Sequence, residues 1–389
     1  MNYKLNDKIL ADLTKEHEEV VALLKTLCAI PAPLNQELAR AEFCKKWLEE
    51  QGATGVYIDA AYNVIFPLNC TDTNKVHIFS AHTDTVFPDT EPMALTEKDG
   101  IMSCPGVGDD TANVVLLLMT AKYILKHGYT PDEGCVFICN SGEEGFGNLK
   151  GAKSFMKAFA GRVISMTSFD GPIDYCVNYA VGSTRYKVTI KTEGGHSFAA
   201  FGNRNAIAYM SSLIDTLYKM KVPAEGTTTY NVGTITGGTS INTICQEAVM
   251  TFEYRSDIRE NLNAMMEFFD ATIAAYQKMG ITVEVEVLGQ RPCMGDVDPA
   301  SQKALEEKMI ALGKLYYGEA PALHAGSTDC NIPFSMGVPA CAMGGYVGDG
   351  AHTREEWLKT DSLKQGYPLV MAAVLDGFRK NNPDLFVKE

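Results

Sequence analysis

The sequence has little positive charge, few histidines and no long apolar run. Its 34 lysines and arginines against 48 aspartates and glutamates give a net charge of −14, which argues against nucleic acid or an anionic membrane as the main partner. The longest aliphatic run, residues 114–119, is far shorter than the roughly 20 residues that a membrane span needs. The first ten residues are polar and provide no signal-peptide core. We therefore expect a soluble protein of the cytoplasm.

The eleven cysteines form no CxxC pair and are scattered from Cys28 to Cys341. An odd number of cysteines in apolar contexts, without a secretion signal, indicates a reducing compartment rather than a disulfide framework. We interpret most of them as small buried hydrophobic residues. A structural zinc site built on thiolates is therefore excluded.

The 389 residues are enough for two or three domains, and helical and strand patterns alternate in the first third of the chain. Helices are predicted at about 7–28, 37–51 and 112–127, and strands at 56–58, 76–79, 135–139 and 163–169. Such alternation is typical of an α/β sheet, in which functional residues follow the strand ends. The pattern returns near the C-terminus, with helices predicted at 299–315 and 360–379.

The middle of the chain has a different order of elements. A strand at 185–191, a helix at 203–220, strands at 229–235 and 248–255, a helix at 262–279 and a strand at 281–288 follow one another. This βαββαβ order is that of a ferredoxin-like unit. We therefore predict a mixed-sheet α/β catalytic domain formed by 1–182 and 296–389, interrupted by a ferredoxin-like domain at 183–295.

Two candidate sites stand at the ends of predicted segments in the first third. His82 follows a strand, and Asp84, two residues later, is placed to accept the second imidazole N–H. Asp109 and Asp110 end a glycine turn just before a helix, where a cation would relieve their mutual repulsion. A dinucleotide-binding loop is the weaker alternative for this turn, because the third glycine of GxGxxG is missing.

Three further carboxylates follow predicted strands, and one more histidine lies in a loop. Glu143 and Glu144 come directly after an apolar strand, which suits one carboxylate that binds a metal and one that moves a proton. Asp170 also follows a hydrophobic strand, and His352 lies in a glycine-rich loop far along the chain. Each position alone is weak, but together they bring His, Asp and Glu to one edge of a sheet.

These motifs resemble, in order and over nearly the whole chain, the co-catalytic zinc exopeptidases and amidohydrolases. That family includes peptidase T, glutamate carboxypeptidase G, acetylornithine deacetylase and succinyl-diaminopimelate desuccinylase. The matching segments in this chain are SAHTDTV, GVGDD, GEEG, FDG and AHTREEW. The resemblance implies one metal held by His82, Asp109 and Asp170 and a second held by Asp109, Glu144 and His352. It also implies Glu143 as general base, Asp84 as support for His82, and a cis peptide bond between Asp109 and Asp110.

The resemblance extends to the inserted domain and to a later loop. It implies that His196 is a lid histidine that reaches the active site of a partner subunit and stabilises the oxyanion. It implies that Asn242 and Arg255 contact the substrate's carboxylate, and we expect these two side chains to lie side by side. The segment Gly326, Ser327 and Thr328 is similar to the family's substrate-binding loop. Thr111 and Asn113 replace the common lysine and glycine, and Phe198 and Ala200 replace a common glycine and proline.

The resulting expectation is a homodimeric, cytoplasmic hydrolase with two divalent ions, zinc first and cobalt or manganese as substitutes. Its substrates would be short peptides with a free carboxylate, cleaved as by an exopeptidase. A deacylase of N-acyl amino acids is the main alternative. A metal-free relative that binds peptides without cleaving them is a distant one.

Overall fold

A computed structural model describes residues 2–388. Contacts between Cα atoms divide the chain into two compact units. The first holds the chain through Tyr179 and again from Asp296 onward, and the second is Ala180–Gly295. The predicted insert, 183–295, therefore lies within the second unit.

The helices and strands are numbered in chain order. The helices are α1 Asp7–Lys15, α2 His17–Cys28, α3 Leu38–Glu50, α4 Asn113–His127, α5 Lys150–Ala158, α6 Ala206–Leu217, α7 Arg259–Lys278, α8 Pro299–Tyr316, α9 Asn331–Ser335 and α10 Leu363–Leu375. The strands are β1 Tyr57–Ile58, β2 Val64–Leu68, β3 Val76–His82, β4 Thr96–Lys98, β5 Ile101–Ser103, β6 Gly134–Asn140, β7 Val163–Ser168, β8 Tyr175–Ala180, β9 Gly182–Lys191, β10 Gly195–His196, β11 Thr228–Gly237, β12 Thr243–Ile244, β13 Glu247–Ser256, β14 Thr282–Arg291, β15 Ala322–Gly326, β16 Ala340–Ala342, β17 Gly348–Asp349 and β18 Trp357–Lys359.

The first unit is built on a mixed eight-stranded sheet with the order β1-β2-β6-β3-β7-β16-β8-β15. Its central strands β6, β3, β7 and β16 run parallel, β2 is antiparallel to β6, and β8 is antiparallel to β16. Strand β6, GCVFICN, is buried along its whole length, as expected of a parallel strand covered on both faces. The predicted mixed α/β fold is confirmed.

Two apolar helices form much of the core of this unit. Helix α4 ends at Gly128, whose φ of 64° provides the left-handed cap that glycine adopts without a side-chain clash. Helix α10 is buried at almost every position and packs against α4 and α8. A Cβ on its Gly366 would lie 1.6 Å from the carbonyl oxygen of Gly345, so this close approach requires glycine.

A small second sheet in the first unit positions the C-terminal histidine loop. Its order is β17-β18-β5-β4, and β17 and β18 form an antiparallel pair. The loop between them contains His352. Because β18 also pairs with β5, the base of the loop is fixed just before the segment that contains Asp109.

The second unit has the ferredoxin-like order β9-α6-β11-β13-α7-β14, with the short strands β10 and β12 added. Its four-stranded antiparallel sheet has the order β11-β13-β9-β14, and α6 and α7 pack against it. Strand β9 alternates between buried and more exposed positions, as its sequence predicts for a sheet with one covered face.

All eleven cysteines are free thiols, and ten of them are buried. Only Cys70 is partly exposed. Within the described part of the chain, no helix combines the length and apolar character needed to cross a bilayer.

Candidate metal centre

Three neighbouring parallel strands end at one edge of the large sheet and deliver the predicted residues there. His82 is the last residue of β3, Glu143 and Glu144 follow β6, and Asp170 follows β7. The register places His82 directly opposite Asn140, the last residue of β6. The edge where parallel strands end is the usual position of a site in such sheets.

Asp109 lies between two histidines. Its Oδ1 is 3.0 Å from Nε2 of His82, and its Oδ2 is 3.1 Å from Nε2 of His352. The peptide bond between Asp109 and Asp110 is cis, as the resemblance implies. The oxygens of Asp110 already have donors, since they accept from the main-chain N–H of His82 at 2.9 Å and the amide of Asn113 at 2.7 Å. Asp109 therefore has both oxygens directed toward the imidazoles.

Glu144 completes a second group, because its Oε1 is 3.2 Å from Nε2 of His352. Candidate ligand atoms lie within 4.8 Å of one another in three overlapping sets. These sets are His82, Asp109, Asp110 and Asp170; His82, Glu143 and Glu144; and Asp109, Glu144 and His352. Imidazole nitrogen and carboxylate oxygen suit zinc and similar divalent ions, so the donor chemistry fits a metal centre.

The imidazole of His82 is oriented by a main-chain atom. Its Nδ1 lies 3.1 Å from the carbonyl oxygen of Asp84 and 3.7 Å from the Asp84 carboxylate. A carbonyl oxygen only accepts, so Nδ1 is the donor. In a ring that binds a metal, the lone pair would therefore be on Nε2, the nitrogen that faces Asp109. The prediction that His82 donates to the Asp84 carboxylate is therefore wrong, because the acceptor is the main-chain carbonyl oxygen of Asp84.

The Asp84 carboxylate instead accepts main-chain N–H groups from Glu143, at 3.2 Å, and from Glu144, at 2.9 Å. This acidic side chain is fully buried, so the two amides compensate for its removal from water. Asp84 thereby fixes the backbone of both glutamates relative to β3.

Acidic groups crowd the site. Burial raises the pKa of Asp170 well above its ordinary value and raises the pKa of Glu144 to about 7, although the hydrogen bond from His352 opposes the shift at Glu144. Hydrogen bonds to Asp109 and Glu144 raise the pKa of His352 to about 11. Burying several carboxylates side by side raises the free energy of the folded state, and a divalent cation bound among them would offset that cost.

Several supporting residues were not among the predicted site residues. Glu356 accepts from main-chain amides of the segment that bears Asp109. Asn113, noted only as a departure from the family pattern, donates to Asp110 and to Gly171 O at 3.1 Å and accepts from the N–H of Gly345. It thus joins the segments that follow Asp109 and Asp170.

The segment Gly326, Ser327 and Thr328 begins at the last residue of the edge strand β15, and all three residues are partly buried. Its neighbour Asp329 is fully buried and accepts from the amide of Asn140 at 2.6 Å. Burial raises the pKa of Asp329 to about 8, and the charge of Glu143 adds to the shift. The predicted substrate-binding loop is therefore tied to the end of β6.

The other predicted residues lie in the second unit. His196, in β10, is exposed, and its Nδ1 accepts from the main-chain N–H of Phe198 at 3.3 Å. Strands β10 and β12 pair, and the N–H of Ser197 donates to the carbonyl of Asn242 at 2.9 Å. His196 and Asn242 are therefore held on adjoining segments.

Arg255 does not lie beside Asn242 within one chain, so the expected side-by-side arrangement is wrong. Arg255 pairs in register with Thr229, at the start of β11, whereas Asn242 follows the other end of that strand. Its guanidinium binds Glu253, with Nε 3.1 Å from Oε1 and Nη2 3.2 Å from Oε2. The two residues of one chain cannot grip a single carboxylate.

Several known proteins resemble this chain in sequence or in structure. The uncharacterized protein YqjE of Bacillus subtilis is 25% identical over 323 residues, which are 81% of this chain and 84% of that protein. The aminopeptidase PepT of Bacillus cereus has a similar structure, with a TM-score of 0.70, 23% identity and coverage of 93% of this chain and 98% of that one. A Staphylococcus aureus tripeptidase gives a TM-score of 0.72, 21% identity and coverage of 93% and 99%.

The family model for peptidase family M20/M25/M40 matches residues 78–376. The match begins within β3 and includes every residue of the candidate centre described above. It covers well over half of the sequence, with the whole second unit and much of the first. The chain belongs to peptidase family M20/M25/M40.

Proposed function

We propose that this protein is a dinuclear metal-dependent exopeptidase that hydrolyses the amide bonds of short peptides. One observation carries the proposal: the two oxygens of Asp109 face two different imidazoles, each in its own set of candidate ligands. A carboxylate so placed suits a bridge between two ions. Membership of a peptidase family supports peptides as the substrate class.

Two divalent ions would be held by the chain's own donors. His82, Asp109 and Asp170 would hold the first, and Asp109, Glu144 and His352 the second. Nitrogen and oxygen donors without thiolate favour zinc, with cobalt and manganese as substitutes. Bound ions supply Lewis-acid polarisation of the amide carbonyl and lower the pKa of a bound water.

The protein's own residues would move the proton. Glu143 is almost completely buried beside Glu144, and we assign it the role of general base. Its carboxylate would take a proton from the attacking water and return it to the leaving amine. Asp84 accepts from the main-chain N–H of Glu143 and would hold that backbone in place during both transfers.

We further infer a homodimer in which His196 of one subunit stabilises the oxyanion in the other, and a cytoplasmic location. The free cysteines support a reducing compartment, since none of the eleven is paired. Substrates with a free carboxylate remain the predicted class, with Asn242 and Arg255 as candidate contacts, provided that the two residues come from different subunits. Gly326, Ser327 and Thr328 are the candidate substrate loop.

The test combines metal content with a panel of dipeptides, tripeptides and N-acyl amino acids. We expect two equivalents of Zn²⁺, loss of peptide hydrolysis on chelation and recovery when Zn²⁺ is added back. His352→Ala should lose the second equivalent and lower kcat/KM at least about 100-fold. His17→Ala, on the first turn of α2, is the matched control and should retain both the second equivalent of Zn²⁺ and the kcat/KM of the unmodified protein.

The alternatives make different predictions in the same test. Hydrolysis of N-acyl amino acids alone would identify a deacylase. Peptide binding without two equivalents of metal and without turnover would contradict an enzyme.

A further inference from the structure

Glu356 is a buried carboxylate whose two oxygens accept from main-chain amides in the segment bearing Asp109. Its Oε1 accepts from the N–H groups of Gly108 and Asp109, both at 2.8 Å, and its Oε2 accepts from the N–H of Gly106 at 2.6 Å. The residue is 2% exposed. Both oxygens are thus engaged with one short stretch of backbone, which includes the N–H of the proposed bridging residue itself.

The segment that bears Glu356 also bears His352, four residues earlier in the chain. Glu356 immediately precedes β18, and its own carbonyl accepts from the N–H of Cys104 at 3.2 Å. The strand β18 pairs with both β17 and β5. Between the histidine and this fixed strand lie only four residues, of which Glu356 is the last, so Glu356 connects the His352 loop to the Asp109 segment.

The Asp109 segment is confined on its other sides. A Cβ on Gly106 would lie 2.6 Å from Thr85, and one on Gly108 would lie 2.6 Å from the ring of Tyr346. Main-chain N–H groups in so enclosed a place need an acceptor, because water has little access to them. Glu356 supplies that acceptor for three of them.

We propose that Glu356 is a positioning residue that sets the distance between Asp109 and His352 and thereby the affinity for the ion that these two residues share. The proposal rests on the proposed metal function. Glu356 does not itself contact the candidate ligand atoms. Its effect passes through the backbone of Asp109 and through the loop that bears His352.

Glu356→Gln is the test variant, because it keeps the shape but replaces one acceptor oxygen with an NH₂ group facing a main-chain N–H. Glu355→Gln is the matched control, since it makes the same change at the adjacent, exposed residue. Zn²⁺ affinity would be measured by competition with a chromophoric chelator, well below the melting temperature of every metal-free variant. We expect the second equivalent to bind about 10–100-fold more weakly in Glu356→Gln, the range for residues that support metal ligands.

Two further measurements separate positioning from simple stabilisation. Excess Zn²⁺ should restore most of the kcat of Glu356→Gln, whereas it should not restore Glu143→Gln. Glu356→Asp retains two acceptor oxygens on a shorter side chain, should show an intermediate affinity, and serves as the test variant if the glutamine variant does not fold.

The outcomes are distinct. Equal Zn²⁺ affinity in the Glu356 and Glu355 variants would overturn the positioning role while leaving the metal function intact. Failure of the unmodified protein to bind two equivalents would overturn the proposed function itself, and this inference with it.

Discussion

At the scale of single residues, Asp109 and the two glutamates after β6 make different contacts in the candidate centre. Asp109 contacts an imidazole with each oxygen, whereas Glu144 contacts His352 and Glu143 is not in the group formed with that histidine. Adjacent residues of one type are thus given different surroundings. A pair of conservative substitutions can separate their roles.

Glu143→Gln should retain close to two equivalents of metal while kcat falls about 10²–10⁴-fold, because only the proton transfer is removed. Glu144→Gln should weaken the second metal, because a ligand oxygen is replaced. Metal analysis of both purified variants, together with kcat at saturating Zn²⁺, checks this assignment. If both variants lost metal to the same extent, the roles of base and ligand would be misassigned.

His82, Glu144 and Asp170 could be identified from sequence because each lies at or just after the end of a strand whose apolar pattern is clear. Asp109 and His352 lie in glycine-rich turns, and their roles were implied by the family resemblance. Glu356 and Asn113 could not, because their partners are main-chain groups brought close by folding; Glu356 binds an amide 250 positions away. The contact made by Asp84 was misjudged for a similar reason. Spacing indicated that Asp84 lies near His82, but it did not show that the carboxylate would turn toward the amides after β6.

At the scale of elements, long periodic segments were predicted well and short ones were missed. The predicted helix 112–127 and strand 135–139 differ from α4 and β6 by one residue at one or both ends. The predicted helix 7–28 is two helices, interrupted at Glu16. Strands such as β17 and β18 have two or three residues and show no period, although they hold the His352 loop.

Strand β3 contains a histidine that should make stability depend on pH. Nδ1 of His77 is 2.8 Å from the hydroxyl of Ser165 on β7. Burial lowers the pKa of His77 to about 4, and the charge of Lys308 adds to the shift, whereas Asp376 and Asp132 oppose it. Between pH 6.5 and 4 the unfolded chain binds a proton here that the folded chain does not, so the folded state loses stability as pH falls.

From pH 7 to 4.5 this residue should cost the folded protein about 2 kcal/mol. The free energy of unfolding of His77→Gln should therefore fall by about 2 kcal/mol less than that of the unmodified protein over the same pH interval. Urea unfolding at both pH values measures the difference, with the exposed His324→Gln as control. An equal loss in all three proteins would contradict the assignment.

At the scale of the whole molecule, the expected dimer can be tested by complementation. The edge strand β11 has an exposed Ile235, and Ile241 lies fully exposed near it in sequence, as is typical of a surface that pairs with another chain. If His196 acts in the partner subunit, mixing His196→Ala with Glu143→Gln should restore activity, because one hybrid site has both groups. Mixing Glu143→Gln with Glu144→Gln should restore none.

Subunits would be exchanged by brief dilution and reconcentration, and the mixtures would be assayed for peptide hydrolysis. Removal of one oxyanion donor costs about 10²–10³ in rate, so recovery would be measured above a low background. A fully active monomer in sedimentation experiments would contradict the dimer.

The distribution of cysteines gives the folded protein built-in chemical probes of its own opening. Ten thiols are shielded, two of them, Cys245 and Cys293, in the second unit and the rest in the first. An alkylating reagent can reach a shielded thiol only when the surrounding structure opens, so in excess reagent the labelling rate reports how often that happens. With Cys70 replaced by serine to remove the accessible thiol, mass spectrometry of labelled peptides would compare the opening rates of the two units in a single sample.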